Sequence, residues 1–301
     1  MKNKRMLLII AYVIGMSSVT ILQRYLTFYY DTFTQSFYRF LAGSSFLLLI
    51  SFLYYRKDLQ EILKNTKLIK DIFLLAGVST ASMFFYIEGL SRTSATITGF
   101  INTLALPLTI LLTVLFFPSE KTVLKRKGFF IGFFLTFGGT VGFIFSKGNL
   151  NFQYSVGIIF VIVATLIGVF ITLLQKRLMT ANLNAVCISA LITAFMCLFF
   201  LAGGLIWGNL ASISDVSLLT NFILFASGVY GLIMGISLAL MNIKISGVLI
   251  TKIAELAIPV FIVLFAFIFL KESLNILQIT FGAIIIWGSI IVLTSIKKNS
   301  V

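Results

Sequence analysis

Glu255 stands inside a long apolar run, three positions after Lys252 and four before Pro259. That spacing puts the two charges on one helical face. An ionisable group at such a place costs roughly 2.5–3.5 kcal/mol to insert into a bilayer and therefore needs a reason. Two reasons are open: an internal ion pair between Glu255 and Lys252, or a carboxylate that carries a proton or faces a cation. Glu88 and Arg92 repeat the theme at i and i+4, nearer a helix end, where long side chains also reach water. Arg24 and Arg39 flank a short connection around Asp31. One of them can pair with Asp31 or Glu88, and the other can hold an anionic group such as a carboxylate, which a guanidinium grips through two parallel hydrogen bonds.

Tyr12, Tyr38, Tyr86 and Tyr230 fall within apolar segments, so each hydroxyl needs a partner away from hydrocarbon. A polar cavity supplies one, and so does a neighbouring helix. Asn102 and Thr251 are further polar groups of this kind. Pro107 and Pro259 each remove a backbone donor in mid-segment, which marks them as candidate hinges or as packing kinks. Small residues at helical spacing, such as Gly138 and Gly142 or Gly231 and Gly235, permit close helix contact. Cys187 and Cys197 read as packing residues. With no histidine in the chain, a histidine proton relay is excluded, and no cluster of metal-ligand spacing or cofactor motif is expected.

The elements that must position these groups follow from composition. With 59% hydrophobic and 11% charged residues and a mean hydropathy of +1.10, the chain belongs in a lipid bilayer. About 20 apolar residues make one helical crossing. The expected spans are 6–26, 34–55, 72–90, 95–117, 128–146, 154–174, 184–207, 217–240, 246–270 and 276–296. Runs such as Ile258 to Leu270 are apolar on every side, unlike the alternating strands of a membrane barrel. The first span follows Lys2, Lys4 and Arg5 and reads as a retained helix, with a cleaved signal segment as the alternative.

The net charge of +14 speaks through its placement, and nucleic acid is not expected as a partner. With the amino terminus in the cytoplasm, 17 of the 23 basic residues fall on the cytoplasmic side, as the positive-inside rule requires. Both termini then lie inside, and each half holds an odd number of spans. Sliding the sequence by 152 positions aligns Leu104-Ala105-Leu106-Pro107 with Leu256-Ala257-Ile258-Pro259 and Glu120 with Glu272, with nine identities in the 27 positions from Ser94 to Glu120. This is an internal duplication. The expected fold is an all-α integral membrane protein of ten transmembrane helices, built as two inverted five-helix repeats over residues 1–150 and 151–301. Glu120 and Glu272 end the paired spans, where a carboxylate suits the free amides of a helix N-terminus.

Several segments resemble the drug/metabolite transporter superfamily, specifically its EamA-like members with ten helices. They are Gly15, Tyr38-Arg39-Phe40-Leu41-Ala42, Ser94 through Pro107 to Glu120, Ser246-Gly247 to Pro259, Lys271-Glu272, and Gly282 through Trp287-Gly288. Glu88, Lys252 and Glu255 depart from the common pattern. The resemblance implies two helical bundles forming a basket around a central cavity. It also implies secondary-active or facilitative movement of small organic solutes such as amino acids, amines, drugs or other metabolites, with efflux favoured over uptake. Alternating access between the repeats, a coupled proton or other ion, and a multi-pass place in the cytoplasmic membrane belong to the same expectation. The competing class is an intramembrane enzyme acting on lipid-linked substrates, which needs a clustered acid, base or nucleophile.

Overall fold

The computed structural model describes residues 2–116, 127–146, 152–179 and 183–297, and among these every regular element is helical. The order is α1 (Lys2–Leu26), α2 (Thr32–Tyr54), α3 (Arg56–Lys64), α4 (Thr66–Arg92), α5 (Ala95–Asn102), α6 (Ala105–Phe116) and α7 (Lys127–Phe145). It continues with α8 (Phe152–Met179), α9 (Ala185–Trp207), α10 (Leu218–Leu232), α11 (Leu238–Glu255), α12 (Ile258–Phe265) and α13 (Ile276–Lys297). Among the described residues seven helices are long and apolar enough to cross a membrane, and the segments Ala95–Thr109, Ile258–Leu270 and Ile276–Val292 are shorter apolar helices. The protein is a multi-pass membrane protein, and its outward faces carry bulky apolar groups such as Leu205, Trp207 and Phe267, each at least 65% exposed.

Short polar side chains set the helix starts. Asp31 accepts hydrogen bonds from the Phe33 and Thr34 amides at 2.9 and 3.0 Å, which satisfies two of the free donors of α2. Ser94, Asn184 and Ser217 each accept from one such amide at the starts of α5, α9 and α10. In the longest polar break, α3 forms a short helix that buries Leu59 and Ile62 and leaves most of its charges in solvent.

Glycine decides the closest helix contacts. Where α7 crosses α13, a Cβ on Gly132 would lie 2.5 Å from the Gly288 carbonyl oxygen and 2.7 Å from the Val292 nitrogen, so the two backbones touch directly. Contacts there pair Gly132 with Val292, Gly139 with Ile285 and Gly142 with Phe281, which makes the helices antiparallel. The α4–α8 seam is also antiparallel and glycine-backed, with Gly89 against Val161 and Gly157 against Arg92. Phe33 against Gly203 and Phe40 stacked on Phe200 show the same opposed sense for α2 and α9.

The helix α1 touches the chain twice, in opposite senses. Gly15 meets Met234 and the Ser18 hydroxyl meets that of Tyr230, an antiparallel pairing. The Tyr12 hydroxyl reaches Glu255 and the Ser17 hydroxyl reaches the Ile258 carbonyl, a parallel pairing. The chain therefore reverses between Met234 and Glu255.

One feature differs from the sequence expectation. The stretch 241–245, expected as a non-helical polar break, is itself helical and follows a π turn at Ile233–Ser237, although the chain turns back on itself between Met234 and Glu255. The stretch Met-Asn-Ile-Lys-Ile holds no glycine or proline to stop a helix. The two proline-bearing spans, which the sequence marks as candidate hinges or kinks, are interrupted. The first breaks between Asn102 and Ala105, just before Pro107, and the second between Glu255 and Ile258, just before Pro259. A proline lacks the donor that an uninterrupted helix needs there.

Candidate functional site

Between the helices lies a cavity of about 360 Å³. Its walls come from α1, α2, α4, the α5–α6 break, α8, α9, α10–α11 and α12, whereas among the described residues α7 and α13 supply none of its lining and pack on each other. Both broken helices reach the cavity at their interruptions, through Asn102 and Thr103 on one side and Glu255, Leu256 and Pro259 on the other. An interrupted helix exposes backbone groups only where a neighbour or a cavity satisfies them. In the second break, the Ser17 hydroxyl donates to the Ile258 carbonyl at 3.1 Å.

Five of the residues proposed from sequence line the cavity with polar side chains: Tyr12, Arg39, Tyr86, Asn102 and Glu255. Tyr12 is buried and its hydroxyl donates to Glu255 Oε1 at 2.9 Å, tying α1 to the end of α11. The Tyr86 and Thr20 hydroxyls lie 3.2 Å apart, joining α4 to α1. Asn102 Oδ1 accepts from the Thr165 hydroxyl at 2.8 Å across to α8. Arg39 is 5% exposed, and its Nε donates to the Ser227 hydroxyl on α10 at 3.1 Å. Gly231 makes space for the guanidinium, since a Cβ there would lie 2.8 Å from Nη2.

The remaining candidates sit elsewhere. Arg24 Nη1 donates to the carbonyls of Leu90 and Ser91 at 2.7 and 2.8 Å, closing the last turn of α4. Glu88 pairs with Arg92 and accepts from the Thr32 hydroxyl, away from the cavity wall. The Tyr38 hydroxyl donates to the Leu210 carbonyl, and the Tyr230 hydroxyl shares its hydrogen bond with Ser18. These groups hold helices together. Pro259 lines the cavity, while Pro107 is buried in α6 beyond its wall. The side chain of Lys252, and Glu120 as a whole, lie outside the described residues.

One end of the cavity is plugged. Beyond Gln23, Tyr86 and Ile262, the residues Ile21, Ile87, Leu90, Ala95 and Ala266 join Ile262 in a cluster that is at most 6% exposed. Polar clamps surround it. The Glu272 carboxylate accepts from the Ala95 and Thr96 amides at 3.1 and 3.2 Å and from the Thr96 hydroxyl at 2.9 Å. The link before α13 is thereby fastened to the N-terminus of α5, where free amides favour an anion.

Sequence reasoning missed several wall residues, among them Gln23, Ser79, Ser82, Thr165 and Gln175. A signal was present. On α1 the lining positions Tyr12, Met16, Val19, Thr20 and Gln23 recur every three or four residues, the mark of one helical face. On α8, Ala164, Gly168, Ile171 and Gln175 do the same.

Comparison with known proteins agrees with this architecture. An uncharacterized transporter of Haemophilus influenzae is 29% identical over 305 aligned residues, covering 99% of each chain. A solved crystal structure shares the fold over 99% of both chains with a TM-score of 0.66 at 15% identity. The EamA-like transporter family matches residues 3–145 and again residues 155–294. Spanning the membrane repeatedly around a central cavity, and matched almost end to end, the chain belongs to the EamA-like transporter family.

Proposed function

We propose that this transporter moves small organic solutes by alternating access around the central cavity, as a secondary-active or facilitative carrier. The observation that carries the reading is a cavity of about 360 Å³ bounded by two broken helices, within the usual size range of small-molecule sites. Discontinuous helices in matching positions are the usual signature of a transporter's binding site. The two interruptions correspond at the 152-residue offset to within about one residue, with Thr103 opposite Glu255 and Pro107 opposite Pro259.

The proposed architecture is ten transmembrane helices in two inverted five-helix repeats, residues 1–150 and 151–301. The antiparallel sense of α2 against α9 and of α7 against α13 supports it, because these are equivalent helices under the repeat. The opposed senses in which α1 meets Met234 and Glu255 support a further crossing between those two residues. With both termini in the cytoplasm of a cell membrane, the plugged end faces outward. Pro107 and Pro259 then serve as hinges, export is the favoured direction, and Glu255 is the candidate group for coupling to a proton or another ion.

Purified protein in sealed vesicles tests the reading. Flux of at least one solute from a mixed panel of amino acids, amines and carboxylates should rise above that of empty vesicles without ATP. A panel in which no solute moves faster than through bare lipid refutes it. Tags at the two ends should be reached from the same side of the membrane; opposite sides would refute the inverted repeat.

A further inference from the structure

We infer that Arg39 is the anion anchor of the cavity, so that the solute held there is a small organic molecule carrying a single carboxylate. The inference rests on reading the cavity as the solute site. Among the described residues no carboxylate lies within ion-pair distance of the Arg39 guanidinium, and its hydrogen bond is the one from Nε to Ser227. A cation 5% exposed inside a membrane protein is costly unless something answers its charge. Arg24, the other arginine near this end, already donates to two backbone carbonyls.

The setting of Arg39 is built rather than incidental. Ser227 donates to the Leu224 carbonyl at 2.8 Å, which leaves its oxygen free to accept from Nε and fixes one edge of the guanidinium. Gly228 brings the α10 backbone against Arg39 itself, since a Cβ there would sit 2.2 Å from the Arg39 carbonyl oxygen. One turn on, Gly231 leaves room beside Nη2. With Nε occupied, the two terminal nitrogens remain, and their spacing suits the two oxygens of a carboxylate.

The rest of the wall sets the class more narrowly. Arg39 is the one basic side chain among the described lining residues, so a doubly charged phosphate would find half its charge unanswered. Met16, Met83, Met196, Phe40 and Ile192 offer an adaptable apolar surface for the body of the solute.

Binding to the purified protein tests this with matched probes: 3-phenylpropionate, its amide, 3-phenylpropylamine and phenylphosphonate, together with hexanoate and hexanamide, and leucine and leucinamide. At least one carboxylate should raise the melting temperature and bind about 10-fold or more tightly than its own amide, the scale of a charge-assisted hydrogen-bond pair. That preference should vanish in Arg39→Gln and survive in part in Arg39→Lys. Gly231→Ala, which crowds Nη2, should reduce it, and this variant decides the matter if Arg39→Gln does not fold. Binding of amides or amines without any carboxylate preference overturns the inference. So does a preference untouched by Arg39→Gln or Gly231→Ala, stronger binding of the phosphonate, or no binding by any carboxylate in the set. Vesicle flux of the same probes separates the two readings. Transport of amides and amines alone would leave the carrier standing and remove Arg39 as anchor, whereas absence of flux for every probe would count against the carrier itself.

Discussion

Two glycines on one helix should respond to the same substitution with opposite signs. A Cβ added at Gly138 of α7 meets no atom within 4 Å, whereas one added at Gly132 would lie 2.5 Å from the Gly288 carbonyl oxygen and 2.7 Å from the Val292 nitrogen. Gly138→Ala therefore gains helix propensity with nothing to displace, about 0.4–1 kcal/mol. Gly132→Ala must push α13 away by roughly 0.9 Å to restore an ordinary contact of 3.4 Å, because backbone atoms cannot swing aside as a side chain does. A gap of that size forfeits about a quarter to a half of each contact's attraction. For two buried side chains flanking the crossing, each with about 40–60 atom contacts of about 0.1–0.2 kcal/mol, a quarter comes to about 2–6 kcal/mol before relaxation. Overpacking of this kind settles at about 1–3 kcal/mol once neighbours adjust. The measurement is a thermal melt of each purified variant in the same detergent, followed by loss of the monodisperse peak on size exclusion. Gly138→Ala should melt at or above the parent, and Gly132→Ala several degrees below it. Equal behaviour of the two variants would refute the direct backbone contact between α7 and α13.

Other residues give sharp expectations. Tyr12→Phe removes the hydrogen bond to Glu255 and should cost about 0.5–1.5 kcal/mol, the usual net worth of a hydrogen bond; a melt identical to the parent would show that the contact is absent in solution. Glu272→Ala strips three acceptor contacts from the start of α5 and should destabilise by about 0.5–2 kcal/mol. Hydrogen exchange at the Ala95 and Thr96 amides should speed up in that variant, and unchanged exchange contradicts the clamp. Glu88→Gln breaks a half-exposed pair with Arg92 worth under about 1 kcal/mol and should leave vesicle flux intact, since the pair lies outside the cavity. A large fall in flux with normal folding would place Glu88 at the site instead.

The helices were legible because apolar runs of membrane-crossing length leave few alternatives, and the breaks because Pro107 and Pro259 announce a missing donor. What the one-dimensional pattern hides is which of several like residues faces inward. Arg24 and Arg39 are the same residue type on neighbouring helices, yet one closes a helix end and the other enters the cavity. The difference comes from their surroundings: the Leu90 and Ser91 carbonyls for Arg24, and Ser227 with Gly231 for Arg39. These partners lie about 66 and 190 positions away along the chain, beyond the reach of any local periodicity. The four mid-segment tyrosines divide in the same way. Tyr12 and Tyr86 reach the cavity and Tyr38 and Tyr230 tie elements together, although all four satisfy the same need for a hydroxyl partner. The helical backbone of 241–245 was hidden for another reason, since no glycine or proline there marks a stop.

The clamps around the plug carry a thermodynamic implication. Parting α1 from α4 and α5 from the link before α13 would strip Arg24 of its two carbonyls and Glu272 of its two amides and one hydroxyl. No lipid can replace those partners, and only inflowing solvent offers enough donors and acceptors to do so. Unsealing that end is thus a hydration event, and it should slow as an impermeant osmolyte lowers the activity of water.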